Sequence, residues 1–169
     1  MKILFTTLLI LLIFLHGVSP QNDEPTNMKG MVARHNYWRQ KVGVPPLVWS
    51  DEVAKTAQRW ANELAKRGCE MEHSQGKGEF ANGYGENLYW SDGMANTPDK
   101  IVDSWASEIE FFNEETGKCK GGVCGHYTQV VWKKTTAVGC AMAKCGSQEI
   151  WVCNYNPPGN WVGQKPYSK

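Results

Sequence analysis

Glu108 is a charged residue on an otherwise apolar stripe of a predicted helix, and it is the residue from which the chemistry of this sequence can be approached. Glu108 follows Ile101 by seven residues and Trp105 by three, and it precedes Phe112 by four. This spacing places its side chain on the buried face of a predicted helix. A buried carboxylate is costly unless it is paired or hydrogen-bonded. Glu108 therefore needs a partner, and a histidine would serve.

Few histidines could fill that role. Beyond residue 20 the sequence contains only His35, His73 and His126. His35 falls on the apolar stripe of the first predicted helix, which favours a place in the core. Ser74 directly follows His73, but neighbours in sequence rarely form a nucleophile–base pair, and the chain has no His-Glu-x-x-His motif. The residues alone therefore give little support to catalysis.

Three predicted helices in the first two thirds of the chain would position these groups. The first covers 28–42, where apolar residues recur at helical spacing. The second follows a cap at Ser50 or Asp51, carries a clean apolar face and stops at Gly68. The third takes Thr97 as its N-cap, has proline at its first helical position and carries Glu108.

The remainder of the chain changes period, because β-branched and aromatic residues become frequent between short polar or glycine-containing links. Four segments are predicted as strands: 87–90, 127–132, 137–143 and 149–154. Helices come early and strands late, so the sequence predicts an α+β fold and not alternating βαβ units.

The amino terminus has the composition of a secretory signal peptide. Lys2 precedes an almost unbroken apolar run over 3–15, interrupted only by Thr6 and Thr7. That run is too short to span a membrane as a helix. We therefore expect a signal peptide over 1–20, a disordered polar lead-in over 21–27, a single domain over 28–169, no transmembrane segment, and a secreted, extracellular protein.

The cysteines indicate three disulfides, because an even number in an exported chain is typical of a disulfide framework. One pair can be argued from the strands, since a hairpin around 146–147 would bring Cys140 opposite Cys153. The spacing of the last three cysteines lacks the close ligand pairs of common structural zinc sites. The six residues are Cys69, Cys119, Cys124, Cys140, Cys145 and Cys153.

The charge balance argues against nucleic acid as a partner. Lys2 is the only charged residue before residue 21, so the rest of the chain carries 17 basic and 17 acidic side chains. No basic stripe is visible along the sequence. A chain of this length suits one domain with a substantial core, and we expect a monomer.

Two dense motifs resemble the signatures of the CAP superfamily, which comprises cysteine-rich secretory proteins, antigen 5 and pathogenesis-related group 1 proteins. The first is CGHYTQVVW over 124–132, and the second is CNYNPPGN over 153–160. The resemblance runs from about His35 to Tyr167 and is greatest to the pathogenesis-related group 1 branch. It implies a three-layer α-β-α sandwich with a central, mainly antiparallel sheet. A shared fold does not settle the function, because this fold carries several activities.

The resemblance also implies that His73, Glu86, Glu108 and His126 converge in one open cleft. Two imidazoles and two carboxylates could bind a divalent ion such as zinc, weakly because no thiolate contributes. They could equally serve as an acid–base set, or simply bridge loops to the sheet through hydrogen bonds.

Two further features follow from the resemblance. In some fungal and plant members of the family, the loop that matches 113–123 takes up sterol, which makes Phe111 and Phe112 candidate lipid-binding residues here, unless they are ordinary core. The segment 157–167 resembles a C-terminal signalling peptide of plant members, although this chain continues through Ser168 and Lys169. The alternative is that Trp161 packs the tail against the sheet.

We therefore expect a secreted protein that binds sterol or a related lipid in defence or host interaction and is not an enzyme. One alternative is a metal-dependent hydrolase or protease that uses the two histidines and two glutamates. Another is an interaction module with an unknown protein receptor.

Overall fold

The computed structural model describes residues 23–75 and 77–168, so the predicted signal peptide over 1–20 lies outside the described residues. The helices are α1 (Met31–Lys41), α2 (Asp51–Lys66), α3 (Pro98–Ala106) and α4 (Gly125–Val130). The strands are β1 (Val48–Trp49), β2 (Gly85–Asp92), β3 (Phe112–Asn113), β4 (Lys118–Cys119), β5 (Ala137–Cys145) and β6 (Gln148–Asn156). Short 3-10 segments cover Thr26–Met28, Gly78–Phe80 and Ser107–Phe111.

The main sheet has the strand order β1-β5-β6-β2. The β1–β5 pair is parallel, whereas β5–β6 and β6–β2 are antiparallel. The hairpin of β5 and β6 turns at Gly146, whose φ of +65° is a conformation that glycine adopts readily. A second sheet contains only β3 and β4. The predicted α+β class with a mainly antiparallel central sheet is confirmed.

Helices cover both faces of the main sheet, because its strands alternate between two apolar layers. In β6, Ile150 and Val152 pack with the buried face of α2. The intervening Trp151, Cys153 and Tyr155 pack with residues of α1, α3 and α4. The result is the predicted three-layer α-β-α sandwich.

The helix α2 forms where the sequence predicts it. The hydroxyl of Ser50 accepts a hydrogen bond from the backbone N–H of Val53 and caps the helix. Trp60 and Leu64, four residues apart, are both buried on the sheet side of the helix. The chain leaves the helix at Gly68, whose φ is +79°. In the part of the chain that is described, no helix is long and apolar enough to cross a membrane.

The strand predicted over 127–132 is wrong, because most of that segment forms α4. Its β-branched and aromatic residues suggested a strand, but Tyr127, Val130 and Val131 recur at helical spacing and are all fully buried. Packing of this stripe against α3 and α1 overrides the local preference for extended structure. The other three strands are present, and each is longer than predicted.

The ends of two helices also differ from the sequence-based bounds. The first helix begins at Met31, after a 3-10 turn and Gly30. Residues 26 and 27, at the end of the predicted lead-in, belong to that 3-10 turn. The carboxylate of Glu24 accepts hydrogen bonds from the backbone N–H groups of Gly30 and Val32. The third helix changes to a 3-10 segment from Ser107 onwards, so Glu108 lies on that segment.

All six cysteines form disulfides, and one of them is the predicted Cys140–Cys153 bridge between β5 and β6. These two residues are directly opposite each other in the strand register. The other bridges are Cys69–Cys145, which joins the end of α2 to the end of β5, and Cys119–Cys124, which joins β4 to the start of α4.

Candidate functional site

The first half of the candidate site is Glu86, whose side chain is fully buried near the start of β2. One carboxylate oxygen accepts from the Nδ1 of His73 at 2.7 Å and from the backbone N–H of Ser74 at 2.9 Å. The other oxygen accepts from the hydroxyl of Ser74 at 2.6 Å and from the amide of Asn154 at 3.3 Å. These bonds compensate the burial of the carboxylate.

The second half is Glu108, which has the histidine partner that its position demanded. Its Oε1 accepts from the Nδ1 of His126 at 2.7 Å. Its Oε2 accepts from the backbone N–H groups of His126 at 2.8 Å and of Tyr127 at 3.2 Å. These N–H groups belong to the first turn of α4, where a carboxylate satisfies donors that lack an intrahelical partner.

Both pairs contact the start of β2, one through Glu86 and the other through Asn87. Glu86 and Asn87 are consecutive in the strand, so their side chains point in opposite directions. Asn87 donates a hydrogen bond of 3.1 Å to the backbone carbonyl of His126. Each histidine is thus tied to this end of the strand, His73 by the side chain of Glu86 and His126 by that of Asn87.

Each pair presents its histidine towards solvent and keeps its carboxylate behind. The side chain of His73 is 50% exposed and that of His126 is 29% exposed, against 0% for Glu86 and 17% for Glu108. An ionised carboxylate only accepts hydrogen bonds, so Nδ1 carries a proton in each ring, and Nε2 carries the lone pair whenever the ring is neutral. Within the described residues no hydrogen bond to either Nε2 is present, and these nitrogens can accept a ligand proton or bind a metal.

This donor set suits zinc in kind but is incomplete in number. Imidazole nitrogen is a common zinc ligand, and a carboxylate on the opposite ring nitrogen is the usual support for such a ligand. Across 23–75 and 77–168, however, no group of three or more His, Cys, Asp or Glu side chains is placed to hold a metal ion. His73 and His126 each offer one imidazole nitrogen of this kind.

A cleft of about 430 Å³ opens beside the His73–Glu86 pair. Its opposite wall is the tail segment 158–161. Gln129 of α4 lines the cleft and is almost completely buried, and its Nε2 has no hydrogen-bond partner in the described part of the chain. A Cβ atom at Gly159 would lie only 2.8 Å from that nitrogen, so the absence of a side chain lets the tail close over Gln129.

His35, which was predicted to be a core residue, is fully buried and neutral. Its Nδ1 donates to the backbone carbonyl of Met31 at 2.8 Å, and its Nε2 accepts from the hydroxyl of Tyr155 at 2.9 Å. That hydroxyl in turn accepts from Asn87 at 3.2 Å. Burial lowers the pKa of His35 to about 4 and raises the pKa of Tyr155. A continuous hydrogen-bonded chain thus links α1 to the residue that supports His126.

The other end of α4 is held by Arg39, a fully buried arginine. Its guanidinium donates to the backbone carbonyls of Val130 and Trp132 at 3.1 and 2.9 Å, and to those of Pro45 and Thr135 at 2.7 and 2.9 Å. Burial lowers its pKa to about 10. Arg39 thus satisfies carbonyls at and beyond the carboxyl end of α4, as Glu108 satisfies N–H groups at the start of that helix.

The candidate lipid-binding residues Phe111 and Phe112 lie where the 3-10 segment meets the β3–β4 hairpin. Both are half-buried. The ring of Phe112 lies 5.4 Å from that of Tyr127, at the edge of the core. The ring of Phe111 lies against Gly122, where a Cβ atom would come within 2.7 Å of the ring. Neither phenylalanine lines the cleft beside the His73–Glu86 pair.

Three residues of the site were missed by the sequence reasoning: Ser74 and Asn154, which bind Glu86, and Asn87, which binds His126. The pairing of Asn154 with Glu86 follows from the β2–β6 register, in which the two residues are opposite each other. No local pattern in the sequence reveals that register. Ser74 directly follows His73 in the sequence, but its hydroxyl bonds to Glu86 and not to the imidazole.

Comparison with known sequences gives consistent matches. The model of the cysteine-rich secretory protein family, abbreviated CAP, matches residues 32–155. The chain is 42% identical over 166 residues to pathogenesis-related protein 1C of Nicotiana tabacum, covering 97% of this chain and 92% of that protein. It is 39% identical over 175 residues to pathogenesis-related protein PR-1 of Medicago truncatula, covering 96% of each.

Solved structures give the same picture at lower identity. The fold matches the crystal structure of NaASP2 with Zn²⁺ at a TM-score of 0.71 and 27% identity, covering 89% of this chain and 90% of that one. It matches venom allergen-like protein 4 of Schistosoma mansoni at a TM-score of 0.66 and 25% identity, covering 86% and 96% of the two chains.

Proposed function

Because the chain belongs to the cysteine-rich secretory protein (CAP) family, we propose that it is a secreted, defence-related binding protein whose ligand is a sterol or a similar lipid. The similarity to pathogenesis-related proteins of two plants supports the defence role and the extracellular location. The apolar run over 3–15 supports export.

The observation that carries the lipid proposal is the contact of Phe111 with Gly122. A residue without a side chain covers the aromatic ring, and residues 120–123 around it are all exposed. Each strand of the adjoining hairpin has only two residues, and Gly122 lies in the short loop that the Cys119–Cys124 bridge closes, so this loop can shift together with the hairpin while the main sheet stays in place. A flat apolar ligand can therefore enter between the ring and the loop without disturbing the main sheet.

The test is sterol binding by a variant that fills this contact. Gly122→Ala places a methyl group against the Phe111 ring, and we expect it to weaken the binding of radiolabelled cholesterol. Gly125→Ala is the matched control, because a Cβ atom there meets nothing within 4 Å. His73→Ala/His126→Ala should also retain binding, since polar groups are poor partners for a sterol ring system. Wild-type protein that takes up no sterol would end the proposal.

A second candidate function is weak binding of a divalent cation by His73 and His126. It rests on the two Nδ1–carboxylate bonds, which fix both rings and leave both Nε2 atoms available. The crystal structure of NaASP2 with Zn²⁺ is similar to this chain in fold and makes zinc the ion to test. Calorimetric titration with zinc should show binding that the double alanine variant lacks. Acid should release the ion, because a ligating imidazole nitrogen must be free of its proton.

Two alternatives keep their own tests. A metal-dependent hydrolase would have to activate water at His73 and His126, since the hydroxyl of Ser74 is buried and donates to Glu86. Zinc-stimulated cleavage of peptide or ester substrates that the double alanine variant lacks would favour that alternative. A pure protein-interaction effector becomes the preferred function if neither sterol nor cleavage is observed.

A further inference from the structure

Three large apolar side chains are exposed together at one end of the molecule. Val123 is 67% exposed, Trp161 is 54% exposed and Val162 is fully exposed. Trp161 and Val162 line a groove of about 270 Å³ whose other wall includes the Cys119–Cys124 bridge. Val123 lies next to Cys124, inside the loop that this bridge closes. Such a cluster differs from scattered single apolar residues on a surface, which need no explanation.

The apolar side chains are held in place by an ordered turn. The backbone N–H of Gln164 donates to the carbonyl of Trp161 at 3.0 Å, and Gly163 has a φ of +81°, which fits the third position of a type II turn. Val162 therefore sits at the tip of the turn. The turn is anchored on one side by Asn160, which accepts from Thr128 at 2.7 Å. An ordered, fully exposed valine at a turn tip gives no stability to the fold in water.

Lysines surround this apolar tip. Lys133 and Lys134 line a groove shared with Lys165, and the backbone N–H of Lys133 donates to the tail carbonyl of Pro166 at 2.8 Å. The ammonium of Lys165 reaches the backbone carbonyl of Glu115 in the β3–β4 hairpin. Three exposed glutamates, at 110, 114 and 115, lie on these segments. They are outnumbered by five exposed lysines: Lys118, Lys120, Lys133, Lys134 and Lys165.

We propose that this end of the protein docks on a bilayer containing anionic phospholipid. Trp161, Val162 and Val123 enter the interfacial region, and the lysines meet lipid phosphates. Tryptophan and an apolar tip flanked by basic residues match the two layers of a membrane interface. An acidic polysaccharide would use the lysines but would leave the fully exposed valine without a role. The inference deepens the proposed sterol function and rests on it for its purpose, because the Phe111–Gly122 contact adjoins the same hairpin.

The test is sedimentation with sterol-free vesicles of phosphatidylcholine, with and without phosphatidylserine. We expect binding only when phosphatidylserine is present, and weaker binding as salt is added. Lys133→Gln/Lys134→Gln should weaken partitioning on the order of 25-fold, because each lysine near an anionic surface contributes roughly a fivefold effect. Val162→Ser should also weaken it, and this exposed turn position leaves the fold undisturbed.

Matched controls lie far from the tip. Met94 is 61% exposed, close to the 67% of Val123, and Lys55 and Lys100 are exposed on α2 and α3. Met94→Ser and Lys55→Gln/Lys100→Gln should bind vesicles as the wild type does. Equal partitioning of Val162→Ser and the wild type, or binding of soluble polygalacturonate that matches vesicle binding, would overturn the proposal. Vesicle binding without sterol uptake would contradict the sterol function but not the membrane docking. Sterol uptake without vesicle binding would contradict the membrane docking but not the sterol function.

Discussion

Acid should destabilise this protein through His35, because the folded surroundings of this residue disfavour its second proton. Its Nδ1 proton is directed at the carbonyl of Met31, and its Nε2 receives the hydroxyl proton of Tyr155. Protonation of Nε2 would place two hydrogens between this nitrogen and the hydroxyl oxygen of Tyr155. The nearby guanidinium of Arg39 adds repulsion, although burial is the larger cause of the lowered pKa.

The expected effect follows from the difference between the folded and unfolded pKa values. The pKa of His35 falls from 6.5 to about 4 on folding. Above pH 6.5 the residue is neutral in both states and the stability is fully present. Between pH 6.5 and about 4 only the unfolded chain takes up the proton, so the free energy of unfolding decreases as the pH falls. The total loss from this residue is about 3 kcal/mol, and it levels off below the folded pKa.

The assay is denaturant unfolding of the oxidised protein at a series of pH values, for wild type and His35→Gln. Glutamine remains neutral throughout, so the variant lacks this proton-linked loss. The difference in the free energy of unfolding between the two proteins should therefore shrink by about 3 kcal/mol between pH 6.5 and 4. A difference that stays constant across this range would refute the reasoning, since carboxylates elsewhere titrate equally in both proteins.

Three further predictions concern stability and the candidate site. Arg39→Met leaves four backbone carbonyls without their donor and should lower the free energy of unfolding by at least ~3 kcal/mol in a denaturant titration. Glu108→Gln should weaken zinc binding by roughly 10- to 100-fold in calorimetry, because the Nδ1 of His126 loses its carboxylate, whereas Glu110→Gln should have no effect. Replacing the Cys69–Cys145 pair by serine removes a bridge between residues 76 apart and should cost about 4.5 kcal/mol in the chain-entropy account; a loss below 1 kcal/mol would contradict that account.

The sequence alone determined the architecture in most respects, because local patterns report directly on burial. The apolar face and caps of α2 and the strands β5 and β6 were predicted from periodicity and turn residues. The Cys140–Cys153 bridge followed from that hairpin. Glu108 could be recognised as a paired carboxylate because its place on an apolar stripe has an energetic cost that needs compensation. The family was recognised from two motifs, and the comparisons confirm it.

Only the tertiary structure decided how the site is assembled. The strand predicted over 127–132 became α4, because packing against α1 and α3 outweighed the β-branched composition. The assignment of His73 to Glu86 and of His126 to Glu108 depends on contacts between residues 13 and 18 apart in the chain. The cleft further requires the tail to lie across Gln129. Such contacts form when distant segments fold together, and no periodicity within one segment records them. For that reason the residues alone identified Glu108, the family resemblance supplied His73, Glu86 and His126, and the fold alone decided which carboxylate supports which imidazole.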